Sequence, residues 1–339
     1  MFDTITTDVY VGPAGLPDAR GALTDLLLPA LEKEPHALDS SLGALVEDAS
    51  EDDLQLALYC CYELHYGGFA GVSSRWEWEP SLLGFRRVME ERLESELRAL
   101  AGPVASDPAD VKARLRSLAA SGGGPSLSSW LEAHGTIEHV RELAKHRSAY
   151  QLKEADPHTW AIPRLAGEAK AVLVAIQAGE YGDGSNERMH STLFGRTMET
   201  LGLSSVPNVY LGELPGSTLL TTNLISMFGL HRRLRGALVG HLALFEMTSS
   251  APMSRYADIL ERLGVPAAGR QFYEVHIEAD LEHEQMATEG MVAGLLKREP
   301  GLAGDVMFGA RALQVAEVGF AAALVADWEA GRSSLRYSG

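Results

Sequence analysis

Cysteine is almost absent from this 339-residue sequence, in which only Cys60 and Cys61 occur. Because the two residues are adjacent, they cannot form an ordinary disulfide that closes a loop, and no C-x-x-C spacing is available for zinc. A reducing compartment fits this composition, and we expect a cytoplasmic protein.

Positive charge and long apolar runs are also scarce. The chain has 29 Lys and Arg against 46 Asp and Glu, a formal net charge of −17, which repels phosphate backbones and anionic membrane surfaces. The N-terminal MFDTITTDVYVGP lacks a basic stretch followed by an apolar run, and no segment approaches the ~18 uninterrupted apolar residues of a membrane span. We therefore expect neither nucleic acid nor a membrane as a partner.

Strand-like alternation is scarce too, whereas helical spacing of apolar residues recurs almost everywhere, as in Leu82, Phe85, Val88, Met89 and Leu93. The sequence therefore predicts an all-α fold. About seven helical patterns lie between Trp130 and Trp328.

A change of composition between Ala101 and Ser129 predicts a domain boundary. The stretches GPVASDPAD and SGGGPSLSS disfavour a continuing helix, and their serines offer N-caps for a new one. We predict an N-terminal helical region at 1–120, used for packing and dimerisation, and a catalytic bundle at 121–339. The aromatic residues Trp76 and Trp78 need cover, which favours a homodimer.

The clearest chemical pattern is FYEVHIEADLEHEQMA, in which His276, Asp280 and His283 stand at i, i+4 and i+7. On a helix of 3.6 residues per turn they form one stripe. Two imidazoles and a carboxylate suit iron, manganese or zinc and leave coordination positions open. A solvated acidic helix face would carry the same pattern, so the stripe alone does not decide the question.

A second candidate segment, AGEYGDGSNERMHSTLF, offers two glutamates that could accompany His190. Glu187 and His190 at i and i+3 would face the same metal on an ideal helix, as in ferritin-like sites. Glu180 and His190 would be ~15 Å apart along an unbroken helix and could meet only if Gly182 and Gly184 bend the chain. The residues alone do not decide whether Glu180 or Glu187 accompanies His190 as a metal ligand.

The third element is HLALFEMTSS, in which Glu246 stands among apolar residues. An ionised carboxylate there is costly unless it is paired or binds a metal. A satisfied structural glutamate is the alternative interpretation.

Together these residues resemble the heme-oxygenase-like di-iron oxidases and oxygenases, whose ligand pattern is a glutamate, a histidine, a later glutamate and H-x-x-x-D-x-x-H. In the branch with an E-x9-H pair, the resemblance implies the metal ligands Glu180, His190, Glu246, His276, Asp280 and His283, with Glu187 as a competing ligand. The block YQLKEADPHTWAIPRL looks like a family segment. It places Glu154 as a catalytic carboxylate close to the cluster, binding metal only conditionally.

The resemblance also implies a heme-oxygenase-like bundle with an N-terminal extension, two Fe(II) ions as cofactors, O2 as co-substrate and a free amino acid as substrate. An external electron donor is a further expected partner. With a single domain and such an extension, the chain most resembles the members that desaturate isoleucine or valine, some of which close the product to an azetidine ring. N-oxygenation of an amine or guanidine and oxidative C–C cleavage remain alternatives, as does a non-enzymatic metal- or heme-binding bundle. Candidates for holding an amino acid, by proximity in the sequence, are Lys153, Tyr181, Arg188 and Arg196.

Overall fold

The computed structural model describes residues 12–39, 42–104 and 107–336, except for the side chains at 42–43 and 278–282. Over these residues helices are the regular secondary structure and no strand occurs, which confirms the all-α prediction. The N-terminal helices are α1 (Ala22–Leu31), α2 (Leu42–Asp48), α3 (Glu51–Glu63), α4 (Pro80–Ala101) and α5 (Val111–Ser121). The later helices are α6 (Leu127–His134), α7 (Ile137–Gln151), α8 (Asp156–Thr159), α9 (Gly167–Glu180), α10 (His190–Thr200), α11 (Gly216–Leu230), α12 (Arg235–Arg262), α13 (Ala267–Gln285), α14 (Ala293–Arg298) and α15 (Ala303–Glu329). A π-helical stretch, Met286–Val292, joins α13 to α14.

Local sequence signals place several helix starts. Ser50 and Ser126 accept a backbone N–H at the beginnings of α3 and α6, and Pro80 occupies the first turn of α4, where its missing N–H costs nothing. Thr136 begins α7 through a reciprocal bond with His139. The serine after the glycine-rich stretch therefore acts as the N-cap that the sequence predicts.

Helices α12 and α15 pack closely against each other at the centre of the bundle. A Cβ at Gly240 would stand 1.8 Å from the carbonyl oxygen of Val306, and one at Gly309 would stand 1.8 Å from that of Ala237. Any larger residue at these two positions would force the helices apart. Glycine thus allows the two backbones to touch, which fixes the position of α12 and its Glu246.

One cluster of buried apolar side chains draws on both sides of the predicted boundary, from Leu23 on α1 to Ala316 on α15. A second cluster lies among α6, α7, α10, α12, α13 and the end of α15. Helix α5 occupies part of the stretch in which the sequence places the boundary. The division at residue 120 itself stays a prediction.

The two tryptophans of the N-terminal region have different surroundings. Trp76 is fully buried and its Nε1 donates to the carbonyl of Lys33 at 3.0 Å, so it belongs to the core. Trp78 is 64% exposed and lies edge-on to His65. Only Trp78 of this pair presents aromatic surface to the outside.

Among the described residues, one helical stretch, Pro300–Glu329, is long and apolar enough to cross a membrane by length and composition. Of its most apolar 18-residue window, 56% is buried inside the protein. A buried core helix passes the same test, and this stretch packs against α11 and α12. It is therefore weak evidence for a membrane span.

Candidate metal centre

A sharp bend between α9 and α10 brings Glu180 and His190 together. Glu180 is the last residue of α9 and His190 the first of α10, and two short 3₁₀ turns lie between them. Gly182 has φ +63°, and a Cβ on it would stand 2.6 Å from the backbone of Arg188 and Met189. The Nδ1 of His190 consequently lies 2.6 Å from a carboxylate oxygen of Glu180. The predicted kink at the glycines is present.

Helix α13 presents His276 and His283 to the same place, as their spacing predicts. The Nδ1–H of His276 donates to the carbonyl of Phe272 at 2.7 Å, which leaves Nε2 as the free nitrogen. That Nε2 lies 3.8 Å from Glu154. The side chain of Asp280 lies outside the described residues, so its predicted role stays a prediction.

Glu246 and Glu154 complete the set from two other elements. Glu246 is on α12 and lies 3.6 Å from Nδ1 of His283, which in turn lies 3.4 Å from Glu180. Glu154 is in the turn between α7 and α8. Both carboxylates are buried, with 6% and 4% of their surface exposed.

The candidate ligands form two groups that share one carboxylate. The first group is Glu154, Glu180, His190 and His276, and the second is Glu180, Glu246 and His283. Within each group the candidate ligand atoms lie within 4.8 Å of one another. A carboxylate common to two groups could hold two metal ions, because it offers two oxygens.

The contacts inside the cluster fit metal ligands better than hydrogen bonds. The Nδ1 atoms of His190 and His283 are buried and have no hydrogen-bond partner among the described residues, although carboxylate oxygens lie 2.6 and 3.4 Å away. Buried polar atoms are rarely left without a partner, and each exception needs a reason. Lone pairs that converge on a common point supply that reason, since a cation there would satisfy all of them.

The pKa shifts show how strongly the titratable groups of the cluster interact. Burial alone would raise the pKa of Glu180, but the His190 and His283 rings outweigh it and hold that pKa well below its usual range. Burial raises the pKa of Glu246, and the charge of Glu180 adds to the effect. Burial, with help from His190, lowers the pKa of His276 to about 4, so this ring is neutral and able to bind a metal at ordinary pH.

The chemistry of the side chains limits the metal. Carboxylates with imidazoles suit borderline first-row ions such as iron, manganese or zinc, whereas a site for calcium would be all oxygen and a structural zinc site would contain cysteine. Both cysteines of the chain are buried in α3, among the N-terminal apolar residues. The site thus suits a first-row divalent metal such as iron, manganese or catalytic zinc.

The competing candidates lie elsewhere. Glu187 is exposed on the short turn before His190 and belongs to neither group of candidate ligands. Lys153 pairs with Glu63 and contacts the hydroxyl of Tyr59, away from the cluster. The Tyr181 hydroxyl donates to Asp156 at 2.8 Å. Arg196 bonds the carbonyl of Glu187 at 3.3 Å.

Sequence reasoning missed three side chains beside the cluster. Gln177, one turn before Glu180, donates to the carbonyl of Ala155 at 2.8 Å and so holds the turn of Glu154 against α9. Tyr150 and Phe245 line the space among the candidate ligands. Tyr150 lies four residues before Glu154 and Phe245 just before Glu246, but both have the apolar spacing of ordinary core residues.

Comparison with known proteins identifies the class that this site defines. Residues 141–317, just over half of the chain, match the family described as iron-containing redox enzymes, and every candidate ligand from Glu154 to His283 falls within that stretch. The chain belongs to this family. The predicted heme-oxygenase-like superfamily is confirmed, and the family is one of redox enzymes.

A curated relative is the nitrosourea synthase of Streptomyces achromogenes subsp. streptozoticus, which is 31% identical over 147 residues. The alignment covers 43% of this chain and 31% of that enzyme. The chain therefore matches less than a third of its relative's length.

Proposed function

We propose that the protein is an O2-dependent non-heme di-iron oxidase that desaturates an aliphatic C–H bond of a small free amino acid, with possible closure to an azetidine-type ring. The observation that carries this proposal is the shared Glu180, flanked by two groups of carboxylate and imidazole ligands. The proposed ligands are Glu180, His190, Glu246, His276, Asp280 and His283, with Glu154 as a conditional one. Isoleucine and valine are the proposed substrates.

The residues of the chain divide the work of this reaction. His190, His276 and His283 would supply imidazole nitrogens to the metal ions, and the buried glutamates would balance the positive charge of these ions. Ferrous ions held by these residues would supply electrons for the reduction of dioxygen. Desaturation takes two electrons and two protons from the substrate, whereas reduction of dioxygen to two waters needs four of each. An external electron donor must therefore restore the two electrons that the metal ions contribute.

The test is an anaerobic ferrous titration followed by an air pulse in the presence of free amino acids, reading iron stoichiometry, oxygen uptake and product mass together. Two irons per chain, oxygen uptake that depends on the amino acid and a product lighter by two hydrogens would support the proposal. One iron or none, without oxygen uptake, would contradict it and leave a binding protein. A Soret band on mixing with heme would favour a heme-binding one.

N-oxygenation of an amine or guanidine is the second candidate function. The similarity to a nitrosourea synthase and the Glu180–His190 spacing favour it. It predicts a product heavier by one oxygen from a substrate such as arginine. Loss of carbon dioxide would instead indicate oxidative C–C cleavage, the third alternative.

Compartment and assembly are proposed on composition alone. The net charge of −17 and the two buried cysteines support a cytoplasmic protein that binds neither nucleic acid nor a membrane. The exposed Trp78 supports a homodimer, which a solution mass of a monomer would contradict.

A further inference from the structure

A large cavity lies directly beside the candidate metal centre. It has a volume of about 640 Å³ and is bounded by the segment before α6, by α7, by α12 and by α15. Pockets for drug-sized ligands have volumes of about 300–1,000 Å³. An isoleucine would leave most of this space to water, so the cavity fits a larger molecule.

The cavity and the metal centre share a wall. Tyr150, Phe245 and Ser249 line both the cavity and the narrow space that also touches Glu154 and Glu180. A molecule that fills the cavity would therefore end at the metal centre.

Aromatic contacts pack the side chains of the shared wall against one another. The Phe245 ring meets Tyr150 edge-on at 6.0 Å between centroids and stacks on His241 at 6.0 Å. Burial raises the pKa of the Tyr150 hydroxyl, and the negative charges of Glu154, Glu180 and Glu246 raise it further. Phe245 thus stands between two fixed rings at the end of the cavity.

Most of the cavity wall is apolar, with a few polar groups at defined places. The apolar residues come from three helices and include Leu143, Leu244, Met253, Leu313 and Ala321. Arg255 is weakly held, 3.2 Å from Ser128 and 3.8 Å from Glu132, with 37% of its side chain exposed. Its charge is therefore available to a carboxylate.

Two further polar side chains line the cavity, and one of them can bind a ligand. The Oε1 of Gln151 is buried and has no hydrogen-bond partner among the described residues, so it can accept from an N–H of a ligand. Arg147 donates two hydrogen bonds to the carboxylate of Glu317, at 2.9 and 2.7 Å. It therefore lines the cavity without offering its charge to a ligand.

We propose that this cavity, the substrate chamber, binds amphipathic amino carboxylates and admits, beyond isoleucine and valine, those with longer apolar chains. The carboxylate pairs with Arg255 and the chain runs toward Phe245, which limits its length. This inference rests on the proposed function for the oxidation at the end of the chamber, but the binding itself needs no metal.

The test measures binding of straight-chain 2-amino acids of increasing length to the metal-free protein by calorimetry. Each added methylene that the chamber buries should strengthen binding by about fourfold. Affinity should level off when the chain reaches Phe245, and Phe245→Ala should move that plateau to longer chains. Arg255→Gln should weaken these ligands but not the corresponding alkylamines.

A matched pair of variants controls for general damage. Val318 lines the chamber, whereas Val209 is 43% exposed and lies outside it. Val318→Trp should weaken binding of the longest ligand by at least about tenfold, since it removes the volume of several methylenes, and Val209→Trp should not. Thermal unfolding of both variants verifies that they are folded.

The outcomes separate this inference from the proposed function. Affinity that does not depend on chain length, or equal effects of the two tryptophan variants, would overturn the chamber even if iron-loaded protein oxidises an amino acid. If the ligands bind as described but iron-loaded protein takes up no oxygen, the substrate chamber is supported and the proposed oxidase function is contradicted.

Discussion

The bend at Gly182 should decide whether the metal centre can form. Gly182→Ala places a Cβ 2.6 Å from the backbone of Arg188 and Met189, whereas ordinary contacts begin at 3.4 Å, so the chain must move by about 0.8 Å. Metal–ligand distances tolerate only about 0.2 Å. The left-handed backbone costs a further ~1–2 kcal/mol. With an overpacking cost of about 1–3 kcal/mol, we expect a loss of ~2–5 kcal/mol in the free energy of unfolding.

Gly184→Ala is the matched control for this substitution. Gly184 also has a positive φ, +81°, but no atom lies within 4 Å of the position of its Cβ. It should lose only the ~1–2 kcal/mol of backbone strain and keep its iron. Denaturant unfolding and an anaerobic ferrous titration measure both effects. If the two variants bind iron equally well, the bend does not position the ligands and the reasoning is refuted.

Four other substitutions test the assignment of charged and titratable residues. Glu180→Ala should lower iron binding below two ions per chain, whereas Glu187→Ala should leave it unchanged, since only Glu180 touches both groups; equal losses in a ferrous titration would restore Glu187 as a ligand. Burial lowers the pKa of His146 to about 3, so the folded chain keeps this ring neutral while the unfolded chain protonates it below about pH 6.5. The free energy of unfolding should therefore decrease as pH falls from about 6.5 toward 3, by up to ~1.4 kcal/mol per pH unit. In His146→Gln the free energy of unfolding, measured from denaturant curves at each pH, should decrease less steeply over this range. An unchanged pH dependence would count against His146 as the cause. Lys153→Met should cost ~3–5 kcal/mol in urea unfolding because Glu63 is left buried without its partner, and KM should not change; a raised KM would instead make Lys153 a substrate contact.

Local patterns in the sequence predict the helices and one face of the site well. The spacing of His276 and His283 is enough to predict that both rings face the same place, because both residues are on one helix and helix geometry fixes which residues share a face. The choice between Glu180 and Glu187 was open for a physical reason. It depends on the backbone angles of Gly182, and a glycine-rich stretch permits many of these.

Features formed by several helices could not be predicted from the sequence. The substrate chamber exists because α7, α12 and α15 meet at particular distances, and the close approach at Gly240 and Gly309 sets one of these. Phe245 has the spacing of a core residue, and nothing local shows that its ring ends a cavity. The unpartnered oxygen of Gln151 likewise becomes visible only when its neighbours are in place.

The scattered origin of the candidate ligands has a consequence for how the protein matures in the cell. They come from the turn after α7, from α9, α10, α12 and finally α13, so no early part of the growing chain contains both groups. Folding of such a chain proceeds as synthesis delivers its segments. His283 is synthesised after the other described candidate ligands, and α15, which packs on α12, follows later still. Both groups can therefore bind metal only after α13 has been made.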